Sequence, residues 1–332
     1  MSSKSTMKAL VVDAPQGAFR QTEVARPSAA KGEVLVRIQA SGVNPLDTKI
    51  RAGNAAHARH PLPAILGIDM AGIVEAVGPD VTGFRRGDAV YGMTGGVGGV
   101  QGSLAEFAAV DADLIALKPS NLSMREAAAL PLAAITAWEG LVDRAKVASG
   151  QRVLVIGGAG GVGHIAVQIA KAVGADVYAI DGAAKADYLR SLGATPIDRA
   201  VGTIEDHVAT YTSGRGSDVV YDTVGGAGLD MAFKAVGRFG HVVSALGWGT
   251  HALAPLSFKA ASYSGVFTLL PLLTGEGRAH HGAILREVTR LADAGKLLPR
   301  MDSRRFSLAD VAEAHRLIES RESEGKLVVE ID

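Results

Sequence analysis

Three glycines, Gly158, Gly160 and Gly163, stand in the spacing G-x-G-x-x-G. They follow the apolar run RVLVI directly and precede a segment of helical periodicity. In that setting each has a task. Gly158 permits a tight turn, Gly160 lets the backbone approach a pyrophosphate, and Gly163 allows close helix–strand packing. Gly161 and Val162 lead into the helix, whose first N–H groups and positive dipole end favour phosphate. The pattern alone is weak in a chain with 41 glycines, and the strand before it and helix after it give it weight. An acidic residue is expected about 20 positions on, and Asp181 ends the run VYAID. Its carboxylate can accept from a ribose 2′-hydroxyl, which favours NAD. Lys185 follows, and Arg199 comes just after TPID. Either can pair with a 2′-phosphate, which favours NADP, or remain a solvated surface charge.

The elements that position this turn are legible around it. From Gly150 onward strands and helices alternate through QRVLVIGG, DVYAI, TPID, SDVVYDTVGG, GHVVSALG and SGVFTL. Six such runs with intervening helices predict a doubly wound parallel sheet. The first 120 residues read differently, as short strands divided by Gly, Pro and Asp, which suggests a barrel or sandwich. Ser123 and Glu126 make a capping box, and Pro131 divides the following helical stretch in two. The tail carries two amphipathic helices and a closing strand, GKLVVEID, expected to rejoin the first domain.

Composition narrows the class. At 332 residues, two domains are expected, given roughly 100–200 residues per domain. Lys and Arg number 34, as do Asp and Glu, so no excess positive charge exists to displace counterions from nucleic acid. Cysteine is absent, which excludes disulfides, thiolate metal ligands and cysteine nucleophiles. No signal-peptide pattern and no long apolar span occur, so no membrane partner and a cytoplasmic location are expected.

Beyond the glycine turn, the segments SGVNPLDTKIRAG, ILGIDMAGIVEAVG, GDAVYG, GSLAEF, LPLAAITAWEGL, DVVYDTVGG and the terminal GKLVVEI follow in order. With them the chain resembles the medium-chain dehydrogenase/reductase superfamily, and within it the zinc-independent quinone oxidoreductase (zeta-crystallin-like) branch. The resemblance covers nearly the whole chain. It implies an α/β architecture with a GroES-like β-barrel substrate domain, built here from residues 1–123 and 271–332. A Rossmann domain with a six-stranded sheet is expected over 124–270. It further implies an active site in the cleft between the domains, and a homodimer.

The same resemblance assigns roles. Asn44 and Asp47 are expected beside the nicotinamide, with Asn44 donating to a carbonyl or to the cofactor. Asp47 orients Asn44 or Lys49, or caps the next helix. Thr136 matches the residue that contacts the carboxamide. Val224, in DTVGG, is expected near a ribose, and Leu246, Gly247 and Trp248 beside the nicotinamide. Lys326 opens the last strand and touches the cofactor or is a strand-end charge. The zinc branch carries a Cys near position 44 and a Gly-His-Glu segment, where this chain has Asn44, Ile68 and Asp69. His57 and His60, with Asp47 or Asp69, are the one remaining metal-binding possibility, and no metal is expected. The family's tyrosines near LDTKIRAG are missing, which leaves Lys49, His57, His60 or water as proton donor.

Without a Lewis acid, reduction of a conjugated acceptor asks less of the protein than oxidation of an alcohol. The expected activity is hydride transfer from NAD(P)H, with NADPH slightly favoured, to a quinone or an α,β-unsaturated carbonyl. The alternatives are an enoyl-thioester reductase on the same fold and a non-catalytic, crystallin-like NADPH-binding protein.

Overall fold

A computed structural model describes residues 5–332. The chain divides into two compact units. One comprises the chain up to Leu132 with Leu269–Gly295 and Pro299–Asp332, and the other comprises Ala133–Thr268 with Lys296–Leu298. Residues 124–132, expected in the central domain, belong to the first unit. The short helix Met124–Ala128 packs on the strands Glu33–Val43 and Asp69–Val77, both in that unit. Gly42 and a run of alanines permit this close approach. A Cβ on Gly42 would stand 2.2 Å from the carbonyl oxygen of Ala128.

The second unit is the doubly wound sheet. Its six parallel strands lie in the order Thr195–Asp198, Asp176–Asp181, Arg152–Ile156, Ser217–Asp222, Val236–Ser244 and Ser262–Gly265. This is the 3-2-1-4-5-6 arrangement, which reverses beside the first strand and opens a crevice at the strand C-termini. The central strands are buried apolar runs, as two-sided packing demands. The last strand lies slightly earlier than SGVFTL, because Tyr263 pairs with Val242 and Gly265 with Ser244. The helix Gly163–Val173 follows the glycine turn and stops at Gly174, whose φ of 94° supplies the left-handed cap.

The first unit is mostly antiparallel, in two sheets. The larger runs Phe306–Ser307, Leu327–Glu330, Glu33–Val43, Asp69–Val77, Ala89–Met93 and Ile115–Leu117, with Phe107–Asp111 also paired to Glu33–Val43. The smaller joins Phe19–Ala25, Thr6–Val12 and Ala64–Ile65. The closing strand does rejoin this unit. Val43 faces Leu327 across one ladder, and Gly42 faces Asp69 across the other. Both neighbours therefore start where the central strand ends.

Among the described residues, no helix is long and apolar enough to cross a membrane.

Gly42→Val is expected to destabilise the protein by about 2 kcal/mol, because overpacking against backbone cannot relax through a rotamer. A drop of several degrees in the melting temperature followed by circular dichroism would show it. Gly83→Ala is the control, since nothing lies within 4 Å of an added Cβ there.

Candidate functional site

In the second unit, the sequence-marked residues gather at the C-terminal ends of the parallel strands. Gly157 turns the chain with φ 78°, and its carbonyl oxygen would sit 2.0 Å from a Cβ on Gly163. A Cβ on Gly158 would meet the Ala179 side chain at 2.6 Å. The glycines are therefore required by packing of turn, helix and neighbouring strand. Gly160 and Gly161 are exposed, and Val162 leads into the helix. A pyrophosphate fits here, because the exposed backbone at Gly160 and Gly161 lies at the start of an eleven-residue helix.

Asp181 reaches back over this turn. One carboxylate oxygen accepts from the Ala159 N–H at 2.8 Å and the other from the Gly182 N–H at 2.8 Å. Each oxygen keeps lone-pair capacity for a ribose hydroxyl. Arg199 is exposed, with a guanidinium nitrogen 3.9 Å from where a Gly182 Cβ would stand. Lys185 is half-buried at the start of the helix Ala186–Ser191. The acid and both bases thus flank one loop.

On the other side of the sheet centre, Val224 is 55% exposed, Leu246 is half-buried, and Gly247 is exposed. Trp248 is exposed and stands edge-on to Phe267 at 6.1 Å. Asp222, which opens the DTVGG segment expected near a ribose, fixes this loop from within. Asp222 is fully buried and accepts from the N–H groups of Val224 and Gly225, and from the Ser244 hydroxyl at 2.7 Å. Ser244 in turn accepts from the Leu246 N–H. Thr136 is buried. Its hydroxyl lies 3.2 Å from that of Thr268, and its carbonyl accepts from the Tyr221 hydroxyl.

The first unit holds a second cluster, assembled by the sheet register described above. Asn44 follows the central strand, Asp69 begins one neighbour, and Lys326 immediately precedes the other. The Asn44 amide donates from Nδ2 to Asp69 at 2.9 Å, and its Oδ1 accepts from the Lys326 ammonium. Asp69 also accepts from the Leu132 N–H at 2.9 Å. Asp47 lies in the first turn of the helix Pro45–Arg51 and accepts from the Asn44 N–H at 2.8 Å, so it does cap that helix. All four side chains are buried. Burial pushes the Asp47 carboxyl up to about 7 and that of Asp69 up to about 6, and it lowers the Lys326 ammonium.

Other expected members fall outside this cluster. Lys49 points away and is exposed. His57 is exposed, and His60 is held by the Gly99 N–H on Nδ1 and lowered by burial. Among the described residues, no group of three or more His, Cys, Asp or Glu is disposed to hold a metal ion. The donors at Asn44 do not suit zinc either. The amide oxygen is committed to an ammonium, residue 68 is isoleucine, and a fixed positive charge repels a dication.

Comparison with known proteins agrees with this architecture. Residues 30–120 match the alcohol dehydrogenase GroES-like domain, and residues 192–329 match the zinc-binding dehydrogenase family. A 2-methylene-furan-3-one reductase of Solanum lycopersicum is 38% identical over 93% of this chain and 74% of its own. The chloroplastic NADPH-dependent alkenal/one oxidoreductase of Arabidopsis thaliana is 35% identical over 93% of this chain and 75% of its own. The crystal structure of an alcohol dehydrogenase superfamily protein from Novosphingobium aromaticivorans is 58% identical. It superposes with a TM-score of 0.97 over 98% of this chain and 100% of that one. With a GroES-like unit of antiparallel sheets, a six-stranded parallel sheet and these relatives, the chain belongs to the medium-chain dehydrogenase/reductase superfamily of oxidoreductases.

Proposed function

We propose that this protein is a zinc-independent, NAD(P)H-dependent reductase of conjugated carbonyls, α,β-unsaturated ketones and aldehydes or quinones. The observation that carries this reading is the buried Asn44 amide, bonded to a lysine and an aspartate in place of metal ligands. The two plant relatives, named for the reduction of a methylene-furanone and of alkenals and enones, support the substrate class.

In this reading the turn Gly158–Gly163 holds the pyrophosphate. Asp181, Lys185 and Arg199 meet the adenosine ribose. Thr136, Val224, Leu246, Gly247 and Trp248 flank the nicotinamide half. When bound, the nicotinamide supplies a hydride to the electron-poor carbon of the acceptor. Asn44 donates an N–H to the carbonyl oxygen, where negative charge develops, and a preorganised donor is most valuable at that atom. A proton from solvent then completes the saturated carbonyl or the hydroquinone. The charge of Lys326, buried against Asn44, serves the site through that amide. We also propose a homodimer, supported by the outer strand Ser262–Gly265 with Tyr263 and Trp248 exposed on its side of the sheet.

NADPH is the favoured cofactor, because two cations stand on the loop where one carboxylate is already committed to backbone. Fluorescence titrations with NADPH and NADH, followed by acceptor-dependent oxidation with cinnamaldehyde, p-benzoquinone and crotonyl-CoA, test the reading. Turnover with the enal or the quinone is expected. Turnover with crotonyl-CoA alone would replace it by thioester reduction, and tight binding without any turnover would leave a nucleotide-binding protein. Asp181→Ser is expected to weaken NADH binding about tenfold, roughly one charge-assisted hydrogen bond, while NADPH binding holds or improves. An unchanged NADH affinity would remove Asp181 from the ribose site.

A further inference from the structure

Asn44 is a short ambipolar side chain whose oxygen and nitrogen have nearly the same shape. In a neutral pocket it could sit either way round. Here its surroundings break that symmetry. The Lys326 ammonium donates to Oδ1, and the Asp69 carboxylate accepts from Nδ2. A flipped amide would set donor against donor and acceptor against acceptor. The carboxylate is itself fixed, since its second oxygen accepts from the Leu132 N–H. The backbone carbonyl of Asp69 accepts from Ser103, which shares a hydrogen bond with Ser41 at 2.7 Å. The Asn44 N–H is held by Asp47, whose other oxygen has no partner.

Burying an ammonium and two carboxylates is costly, and well-packed apolar residues often serve stability as well or better. Such a cluster specifies geometry. We propose that Lys326 and Asp69 are positioning residues that lock the Asn44 side-chain amide in one orientation, leaving its second Nδ2–H directed at the acceptor carbonyl. The inference rests on the donor role given to Asn44 above. It adds the reason a flexible amide can serve there, namely that a cation on one side and an anion on the other do the orienting work of a metal's ligand field. Hydride and proton bookkeeping is unchanged, because neither residue exchanges an atom with substrate.

The test is a double-mutant cycle on the full-length protein, using NADPH and whichever acceptor turns over. Asn44→Ala is expected to lower kcat about 100-fold, the usual loss for one oxyanion donor. Lys326→Met and Asp69→Asn are each expected to lower kcat at least tenfold, with acceptor KM and NADPH affinity within about twofold of wild type. The pair Asn44→Ala/Lys326→Met should be no worse than Asn44→Ala alone, and Lys326→Arg should recover part of the rate. A full kcat in Lys326→Met or Asp69→Asn, or losses that multiply in the double variant, would overturn the positioning role while leaving Asn44 as donor. A full kcat in Asn44→Ala would instead remove the donor reading itself.

A second readout does not need activity. Between pH 3.8 and about 6 the folded state holds a proton on Asp69 that the unfolded chain has released, because burial raises the carboxyl over that range, and above it Asp69 is the anion. This group therefore makes the protein less stable as pH rises through that window. The charges that face it are Asp47 and Lys326, with the Asn44 amide and the Leu132 N–H as neutral donors. Urea unfolding at several pH values should show that decline in wild type and a flatter one in Asp69→Asn. Identical slopes would mean that Lys326 and the N–H donors offset the burial of the Asp69 charge in full, as the positioning role requires; a decline specific to Asp69 that continues above pH 7 would mean a neutral carboxyl there, and the proposal would fall.

Discussion

Charge burial is the constraint around which the first unit is organised. Asp47, Asp69 and Lys326 are all taken out of water beside Asn44. Leaving any one of them unpaired would cost several kcal/mol. They are tolerated because the sheet delivers them to one point. Two strands run antiparallel to Glu33–Val43 on opposite sides, and both begin where it ends. The register brings together three strand ends from distant parts of the sequence. The helix that follows then starts with Asp47 on the Asn44 N–H, so its N-terminus is fixed by the same group.

The second unit answers to a different constraint, the close approach of backbone to backbone. Its glycine turn is crowded by its own helix and by Ala179, and a carboxylate from the next strand closes it. Asp222 does similar work two strands away, holding the Val224–Gly226 loop and, through Ser244, Leu246. In both places an acidic side chain replaces the missing hydrogen-bond partners of a tight turn. The rim of the crevice at the strand ends is therefore shaped by internal carboxylates.

Features whose signals are local were legible from the sequence. The glycine turn, the capping box at Ser123 and Glu126, the break at Pro131 and the succession of parallel strands each occupy a few consecutive residues. The site in the first unit was legible only in part. Asn44 and Asp47 lie in one short segment and could be marked together. Lys49 lies in the same segment and was marked with them, yet the helix turns it outward. In the sequence Asp69 stands out only as a candidate metal ligand, and Lys326 as a cofactor contact or a strand-end charge. Their meeting at Asn44 depends on strand register between distant segments, which no periodicity within either segment encodes. Asp222 is legible as part of DTVGG, but its bond to Ser244 is not, for the same reason: the two are 22 residues apart on adjacent strands.

The separation of Asn44 and Lys326 also has a consequence for how the protein is made. The two lie 282 residues apart, and the entire parallel-sheet unit is encoded between them. At the pace of translation, on the order of tens of seconds pass between the emergence of one and the other. The parallel-sheet unit, Ala133–Thr268 with Lys296–Leu298, is complete in sequence within that interval and can fold before Lys326 emerges. The amino-terminal sheet cannot complete its charge pairing until the carboxyl-terminal strand arrives, so a nascent chain carries Asp47 and Asp69 without their cation. Assembly of the cluster is in this sense a late, post-synthetic event, and a chain cut short before Lys326 would carry the glycine turn but not the amide's cationic partner.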